Sequence, residues 1–391
     1  MFALLTIVLL AGLAGPLLGY GRRGLVPVVV GELFAGAVLG RTGFGVIDAA
    51  QQPLPSFAAI GFAMLMFSAG TQVDIGSRAI RQGFERGITA AGFAALVAVP
   101  LGLVIDRVLG VGQPVLLIVL LAGSSAAIAF PIIEEHGLHG PNISFLIAWI
   151  AVADAITVVV MPLTLSKSGN LALAIVGDGS LILAAGVALL LAQRSANTKP
   201  SELMREWSLS RGWAWQVRLA IILVLAFSAI AERTGASTLI AGFLAGMVLV
   251  RLRSPGRVAL QLSGVANGFF VPVFFVSLGA QLNLRALVTD PSRIALAFAL
   301  AGGAVLAHVI AAYFRGEQQR LASGLAASAQ LGLPAAAASL GLSSGVLSPA
   351  EAAAIVAAGC LTLIPATVGS LMLAEGKVPS VPKERLEQSP L

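Results

Sequence analysis

One acidic residue lies near the middle of a long apolar run of the sequence. The run extends from Ile143 to Ser166 and is long enough to cross a bilayer as a helix, with Asp154 near its centre. A charged aspartate at that depth costs about 2.5–3.5 kcal/mol, so such a residue normally faces a partner or a cavity and marks an ion or proton path. Two interpretations follow. Either Asp154 binds a cation and a proton, or it only caps or hydrogen-bonds a neighbouring helix.

Two other apolar runs contain helix-breaking residues. The interruptions are Gly123, Ser124, Ser125 and Pro131 in one run, and Gly324, Gln330, Gly332 and Pro334 in the other. Unwound backbone at such breaks exposes carbonyl groups and helix ends that can ligate a small ion or balance its charge. We therefore predict that Ser124, Ser125 and Gln330 help to shape an ion site around Asp154. For the second run the alternative is that its glycines only permit close helix packing.

A single histidine, His308, lies in another apolar run. A lone histidine on an apolar helix is most often a packing residue. If it lies beside Asp154, however, its protonated ring would pair with the carboxylate when no cation is bound. That pairing would make transport sensitive to pH near neutrality, so we predict a modulating role for His308.

Glu32 opens the apolar stretch GELFAG. It is either a second, modulating ion-binding group or, as its position favours, a cap or anchor at the cytoplasmic end of a helix. Acidic and histidine residues also cluster elsewhere, at Glu134, Glu135, His136 and His139. They are expected to belong to a solvated loop, since no third type of ligand near the histidines completes a metal site. We expect no cofactor and no metal ion other than a monovalent cation at Asp154.

The composition is that of a polytopic membrane protein. The 391 residues are 58% hydrophobic and 11% charged, with a mean hydropathy of +0.95. The net charge of +6 is spread between apolar segments, so it indicates topology within a lipid bilayer and not a nucleic-acid partner. The single cysteine, Cys360, excludes an internal disulfide framework.

The sequence predicts about thirteen transmembrane helices. They lie near 2–19, 25–40, 55–73, 87–106, 113–134, 143–166, 170–192, 217–232, 236–250, 266–284, 294–314, 320–342 and 351–373. One set of loops carries eighteen basic residues and the other six. The positive-inside rule therefore places the N-terminus outside and the C-terminus in the cytoplasm.

Three stretches of the first half recur in the second. Residues 30–41 resemble 240–251, residues 62–75 resemble 270–284, and residues 121–138 resemble 325–342. Segments 1–6 thus correspond to segments 8–13, and the odd joining segment inverts the second copy. This predicts an all-α fold of two inverted six-helix repeats, a build common in secondary transporters.

Several of these motifs together resemble the bacterial monovalent cation:proton antiporters of the Kef and sodium/hydrogen exchanger type. The resemblance covers about residues 5–373 and rests on GELFAGAVLGRTGFGVI, IGFAMLMFSAGTQVDI, the Gly-Ser-Ser stretch, mid-helix Asp154 and PVFFVSLGAQLNL. It implies two crossed broken helices beside the ion-binding aspartate, a homodimer, and a core domain that moves like an elevator. The implied division is a dimerisation domain (1–85 and 217–290), a core domain (86–168 and 291–375), a linker (169–216) and a cytoplasmic tail (376–391).

The sequence departs from that family pattern at two places. Many members carry two adjacent polar residues where this chain has Ala153 and Asp154, and many carry a lysine where His308 stands. A single carboxylate makes one-for-one, electroneutral exchange the more natural expectation.

These observations predict a transporter of the bacterial inner membrane, and not an enzyme. It exchanges Na⁺ or K⁺ for protons, and both ligands compete for Asp154. The competing hypotheses are a cation channel, a receptor without transport, and an organic-anion symporter on a similar scaffold. A channel would need a multi-ion filter, and an organic anion would favour a neutral or positive site.

Overall fold

The structure is a computed structural model. It describes residues 1–19, 28–72, 78–126, 129, 141–165, 171–195, 207, 211, 213–234, 236, 238–250, 261–315 and 319–375. The predicted tail 376–391, much of the predicted linker 169–216, and the cluster Glu134, Glu135, His136 and His139 lie outside these ranges. Within them the chain forms helices and no strand, which confirms the all-α prediction.

The helices follow one another with short connections. They are α1 (Phe2–Gly12), α2 (Ala14–Gly19), α3 (Val28–Leu39), α4 (Leu54–Gln72), α5 (Arg78–Leu109), α6 (Pro114–Ala122), α7 (Pro141–Thr164), α8 (Leu171–Ser195), α9 (Trp215–Thr234), α10 (Thr238–Val250), α11 (Val271–Gln281), α12 (Leu284–Thr289), α13 (Pro291–Arg315), α14 (Arg320–Ala327), α15 (Gly332–Ser344) and α16 (Pro349–Glu375). A π-helical turn, Ala266–Phe270, precedes α11.

The described helices account for a multi-pass membrane protein. Eight are long and apolar enough to cross a membrane, and four further apolar helices of 10–17 residues lie at 2–18, 28–39, 176–191 and 238–250. The segment predicted at 113–134 is described mainly through α6. Each predicted segment therefore coincides with a helix, while the count of thirteen crossings stays a prediction.

Helix packing follows the internal repeat. Gly36 on α3 and Gly246 on α10 occupy equivalent positions in the two repeats. A Cβ atom at Gly36 would lie 2.2 Å from the carbonyl oxygen of Val276, and one at Gly246 would lie 2.2 Å from that of Phe67. Val276 and Phe67 are themselves equivalent, so the pair α3–α11 is matched by the pair α10–α4. Small residues let these backbones touch, as is common in membranes, where no hydrophobic effect drives helices together.

A second group of helices, α5 to α7 and α13 to α16, packs together and contains the two broken helices. Its last member begins with a capping box, in which Ser348 and Glu351 exchange hydrogen bonds ahead of the apolar run. The carboxylate of Glu351 also pairs with Arg293 at 3.1 Å, near the start of α13. These contacts fix α13 against α16, and α13 carries His308.

Candidate functional site

Two interrupted helices cross at their breaks. The first is extended at residues 123–125, after α6, and the second is not α-helical at residues 328–331, between α14 and α15. The backbone N–H of Ser125 donates to the carbonyl oxygen of Ala329 at 2.8 Å, and the side-chain amide of Gln330 donates to the carbonyl oxygen of Gly123. Each break thus satisfies polar groups of the other, as low-dielectric surroundings require. The crossed broken helices predicted from the sequence are confirmed.

Asp154 lies on α7 beside this crossing and is 5% exposed. Its Oδ2 accepts a hydrogen bond of 3.0 Å from the N–H of Ala126, where helical structure resumes after the first break. Free N–H groups and the helix dipole at such an end stabilise a negative charge. The carboxylate therefore faces the break, and it caps a helix as the second interpretation of the sequence expected. Capping with one oxygen is compatible with ion binding.

A threonine takes the corresponding place in the second repeat. The N–H of Gln330 donates to Oγ1 of Thr362 on α16 at 3.1 Å, and this hydroxyl contacts the carbonyl oxygens of Gln330 and Gly359 at 3.1 and 2.7 Å. Thr362 thus supports one break as Asp154 supports the other, but with a neutral group. The sequence analysis missed Thr362 because it searched this helix for an acid. A polar residue in the apolar run that follows a broken helix was the available signal.

His308 is fully buried on α13 and contacts the first break through Ser124. Its Nε2 lies 3.1 Å from Oγ of Ser124, and its Nδ1 lies 2.8 Å from the carbonyl oxygen of Ala304. The hydroxyl of Ser124 also donates to the carbonyl oxygen of Ala327, at the end of α14, at 2.6 Å. No ion pair joins His308 to Asp154 among the described residues. Both side chains instead contact the same break, at neighbouring positions.

These contacts admit two arrangements of protons. Nδ1 must donate to Ala304 because a carbonyl oxygen only accepts. If Nε2 is protonated as well, it donates to Ser124, and Ser124 donates to Ala327. If the ring is neutral, Nε2 is an acceptor, and the one hydroxyl proton of Ser124 serves either His308 or Ala327. The protonation of His308 is therefore linked to the polar groups at the end of α14.

Trp149 also belongs to the surroundings of His308 and was missed from the sequence. It is fully buried on α7, and its ring stacks on the imidazole with 5.6 Å between centroids and 22° between planes. An indole face attracts a cation, so this stacking favours the protonated ring. Because Trp149 and Asp154 share α7, the two titratable residues are held by one helix.

Other buried carboxyl groups lie away from the crossing. Glu32 is buried on α3 near Gly15 of α2, and its Oε2 has no hydrogen-bond partner in the described part of the chain. Asp178, which the sequence analysis did not weigh, is buried on α8. The structure therefore brings together Asp154, Ser124, Ser125, Gln330 and His308, and it leaves Glu32 outside.

The donor atoms at the crossing suit a hard monovalent cation. They are oxygens of three kinds, namely the carboxylate of Asp154, the hydroxyls of Ser124 and Thr362, and backbone carbonyls such as that of Gly123. Carbonyl oxygens in unwound membrane backbone can replace the hydration shell of an alkali cation. The arrangement can hold one cation against one negative charge.

Known proteins share this architecture. YjbQ of Bacillus subtilis is 27% identical over 380 residues, which is 90% of this chain but 60% of that protein. The glutathione-regulated potassium-efflux system protein KefC of Klebsiella pneumoniae is 29% identical over 281 residues, 68% of this chain and 43% of KefC. The solved structure of the sodium proton antiporter MjNhaP1 from Methanocaldococcus jannaschii matches with a TM-score of 0.65, 14% identity and 96% coverage of both chains.

A family model decides the classification. The model described as sodium/hydrogen exchanger, transmembrane, matches residues 5–374, nearly the whole of this chain. The structural likeness to MjNhaP1 agrees with it at the level of the fold. The chain therefore belongs to the transmembrane sodium/hydrogen exchanger family.

Proposed function

We propose that this chain exchanges Na⁺ or K⁺ for protons across the bacterial inner membrane, with Asp154 as the group that both ligands use in turn. One observation carries the proposal: a buried carboxylate bonded to the N–H of Ala126 where two broken helices cross. The family description and the potassium-efflux relative support a monovalent cation as substrate. A solitary carboxylate disfavours the organic-anion alternative, because an anionic substrate would be repelled by it.

Competition at one carboxylate accounts for obligatory exchange. Asp154 with a bound cation and Asp154 with a bound proton are both neutral, whereas the empty carboxylate carries a negative charge. A bare charge moved through hydrocarbon is costly, so only the two loaded forms change sides readily. A proton then enters only as a cation leaves, and the expected ratio is one proton for one cation.

His308 is proposed to modulate this exchange through Ser124 and not by direct contact with Asp154. A protonated ring can donate to Ser124 while the hydroxyl serves the carbonyl oxygen of Ala327. A neutral ring leaves one of these acceptors to compete for the hydroxyl proton. The pH near the site would thus set the polarity of the crossing as a cation arrives.

The movement we propose is of the elevator type. The helices α5 to α7 and α13 to α16 would form the moving core, at 86–168 and 291–375, against a dimerisation domain at 1–85 and 217–290. The proposal includes a homodimer, an outer N-terminus and a cytoplasmic C-terminus. Helix packing supports the division, since α3 contacts α11 and α4 contacts α10, while the broken helices contact α7 and α16.

Proton movement in sealed liposomes tests the proposal. Purified protein is reconstituted with a pH gradient, and Na⁺, K⁺ or Li⁺ is added outside while internal pH is followed. We expect cation-dependent proton flux in the wild type and none in Asp154→Asn. Asp178→Asn is the matched control, because it neutralises another buried carboxyl group of a membrane helix. Equal flux in the wild type and Asp154→Asn, with both proteins folded, would exclude Asp154 as the carrier.

A further inference from the structure

We propose that an acyl chain of a bilayer phospholipid occupies an apolar cavity between α3, α12, α13 and α16. The cavity has a volume of about 490 Å³, within the range of sites that hold small ligands. Its lining is aliphatic, aromatic or, at Cys360, a thiol; residues used below are Phe34, Leu284, Val288, Phe298, Ala357 and Cys360. It is separate from the crossing that holds Asp154.

The chemistry of the walls and of the opening selects a lipid tail. Phe34, Val288 and Phe298 line the cavity while being 58%, 66% and 62% exposed, so the cavity opens onto the outer surface of the helices. For membrane-spanning helices that surface faces hydrocarbon. The lining residues supply no charge or hydrogen-bonding side chain to replace the hydration shell of an ion, so an ion route through this space is disfavoured.

A cation beside the cavity suits the phosphate of the same lipid. Leu284 and Val288 of the short helix α12 line the cavity, and Arg285 lies between them with an exposed side chain. Its guanidinium donates to the backbone carbonyl of Thr42 at 3.3 Å, and no carboxylate in the described part of the chain pairs with it. Several of its N–H donors remain for a phosphate group, which guanidinium binds well. A tail in the cavity and a phosphate on Arg285 describe one phospholipid.

The position of the cavity gives its occupant a consequence for transport. One wall is α3, and the opposite wall is α13 and α16, which carry His308 and Thr362 of the candidate site. A tail held between these walls would lie across any sliding of α13 and α16 past α3. This consequence rests on the proposed elevator movement, whereas binding of the lipid does not.

Native mass spectrometry of the purified protein in mild detergent tests the binding. We expect phospholipid to remain bound to the wild type. Ala357→Phe, which fills the cavity, should lower its occupancy about tenfold, equivalent to about 1.4 kcal/mol, as should Arg285→Gln, which leaves the cavity intact. The control is Val368→Phe on the same helix, at an exposed position outside the cavity, and it should retain the lipid. Equal retention in all four proteins, or detergent alone on the wild type, would overturn the proposal.

A second measurement needs no variant. A phospholipid with a diazirine in its acyl chain is incorporated with the wild type into nanodiscs and irradiated. We expect crosslinks concentrated on residues 353–361 of α16, including Cys360. Crosslinks spread evenly over exposed positions such as Leu96 and Leu183 would show only the general lipid surface and contradict a site. Their absence from 353–361 would mean that a second copy or another molecule covers the cavity, and would equally overturn the proposal.

Discussion

Replacing Thr362 by valine removes the support of the second break and changes the size of the side chain little. The N–H of Gln330 loses its acceptor at 3.1 Å, and the carbonyl oxygen of Gln330 loses the hydroxyl at the same distance. A buried polar group left without a partner costs about 1–3 kcal/mol. We therefore expect the free energy of unfolding to fall by about that amount, because no water replaces the hydroxyl in a membrane interior.

The same substitution at Thr367 is the matched control. Thr367 is buried on the same helix, and its hydroxyl donates to the carbonyl oxygen of Leu363 at 2.8 Å. That carbonyl lies four residues earlier, at the usual position of an intrahelical acceptor, so the loss leaves no backbone N–H unpaired. Thr367→Val should reduce the free energy of unfolding by less than about 1 kcal/mol.

Denaturant unfolding of both purified variants, in one detergent, measures this difference. Flux in liposomes should show a second difference, since Gln330 also bonds the first break: Thr362→Val should need more cation for half-maximal exchange, and Thr367→Val should not. If both variants lost equal stability and kept wild-type cation dependence, the threonine would not be a support of the break.

Three further substitutions test other parts of the structure. His308→Lys should extend exchange to higher pH, because lysine keeps its charge to about pH 10 and histidine only to about 6.5; an unchanged pH profile of flux would rule out modulation. Ser124→Ala should flatten that profile, since His308 loses its link to α14, whereas Ser370→Ala, which removes only a bond within α16, should leave it unaltered. Gly36→Ala should cost about 1–3 kcal/mol in unfolding experiments, because its Cβ would lie 2.2 Å from a backbone oxygen, while Gly92→Ala, with open space around it, should be neutral or slightly stabilising.

The sequence was sufficient for the elements whose cause is local. Gly123 and the two adjacent serines, and Gly332 with Pro334, interrupt apolar runs, and both breaks are present. An aspartate in an apolar run is conspicuous because hydrocarbon penalises charge, so its place beside a break followed from energetic reasoning alone. The repeat was readable because equivalent glycines serve equivalent close contacts.

The contacts between helices were not readable in the same way. Thr362, Trp149 and the Ser124–His308 bond depend on how far one helix is rotated and shifted along another, and hydrophobic patterning in lipid constrains that little because a membrane helix is apolar on every side. The ion pair considered between His308 and Asp154 shows the difficulty. Chemistry allowed it, whereas the geometry places Ser124 against the imidazole and Ala126 against the carboxylate.

Proton release on cation binding tests the central claim most directly. Na⁺ or K⁺ is titrated into the purified protein in weakly buffered detergent solution, with calorimetry for binding and a pH indicator for protons. Competition at one carboxylate predicts about one proton released for each cation bound, and loss of both signals in Asp154→Asn but not in Asp178→Asn. Cation binding without proton release in the wild type, or undiminished release in Asp154→Asn, would contradict exchange at Asp154.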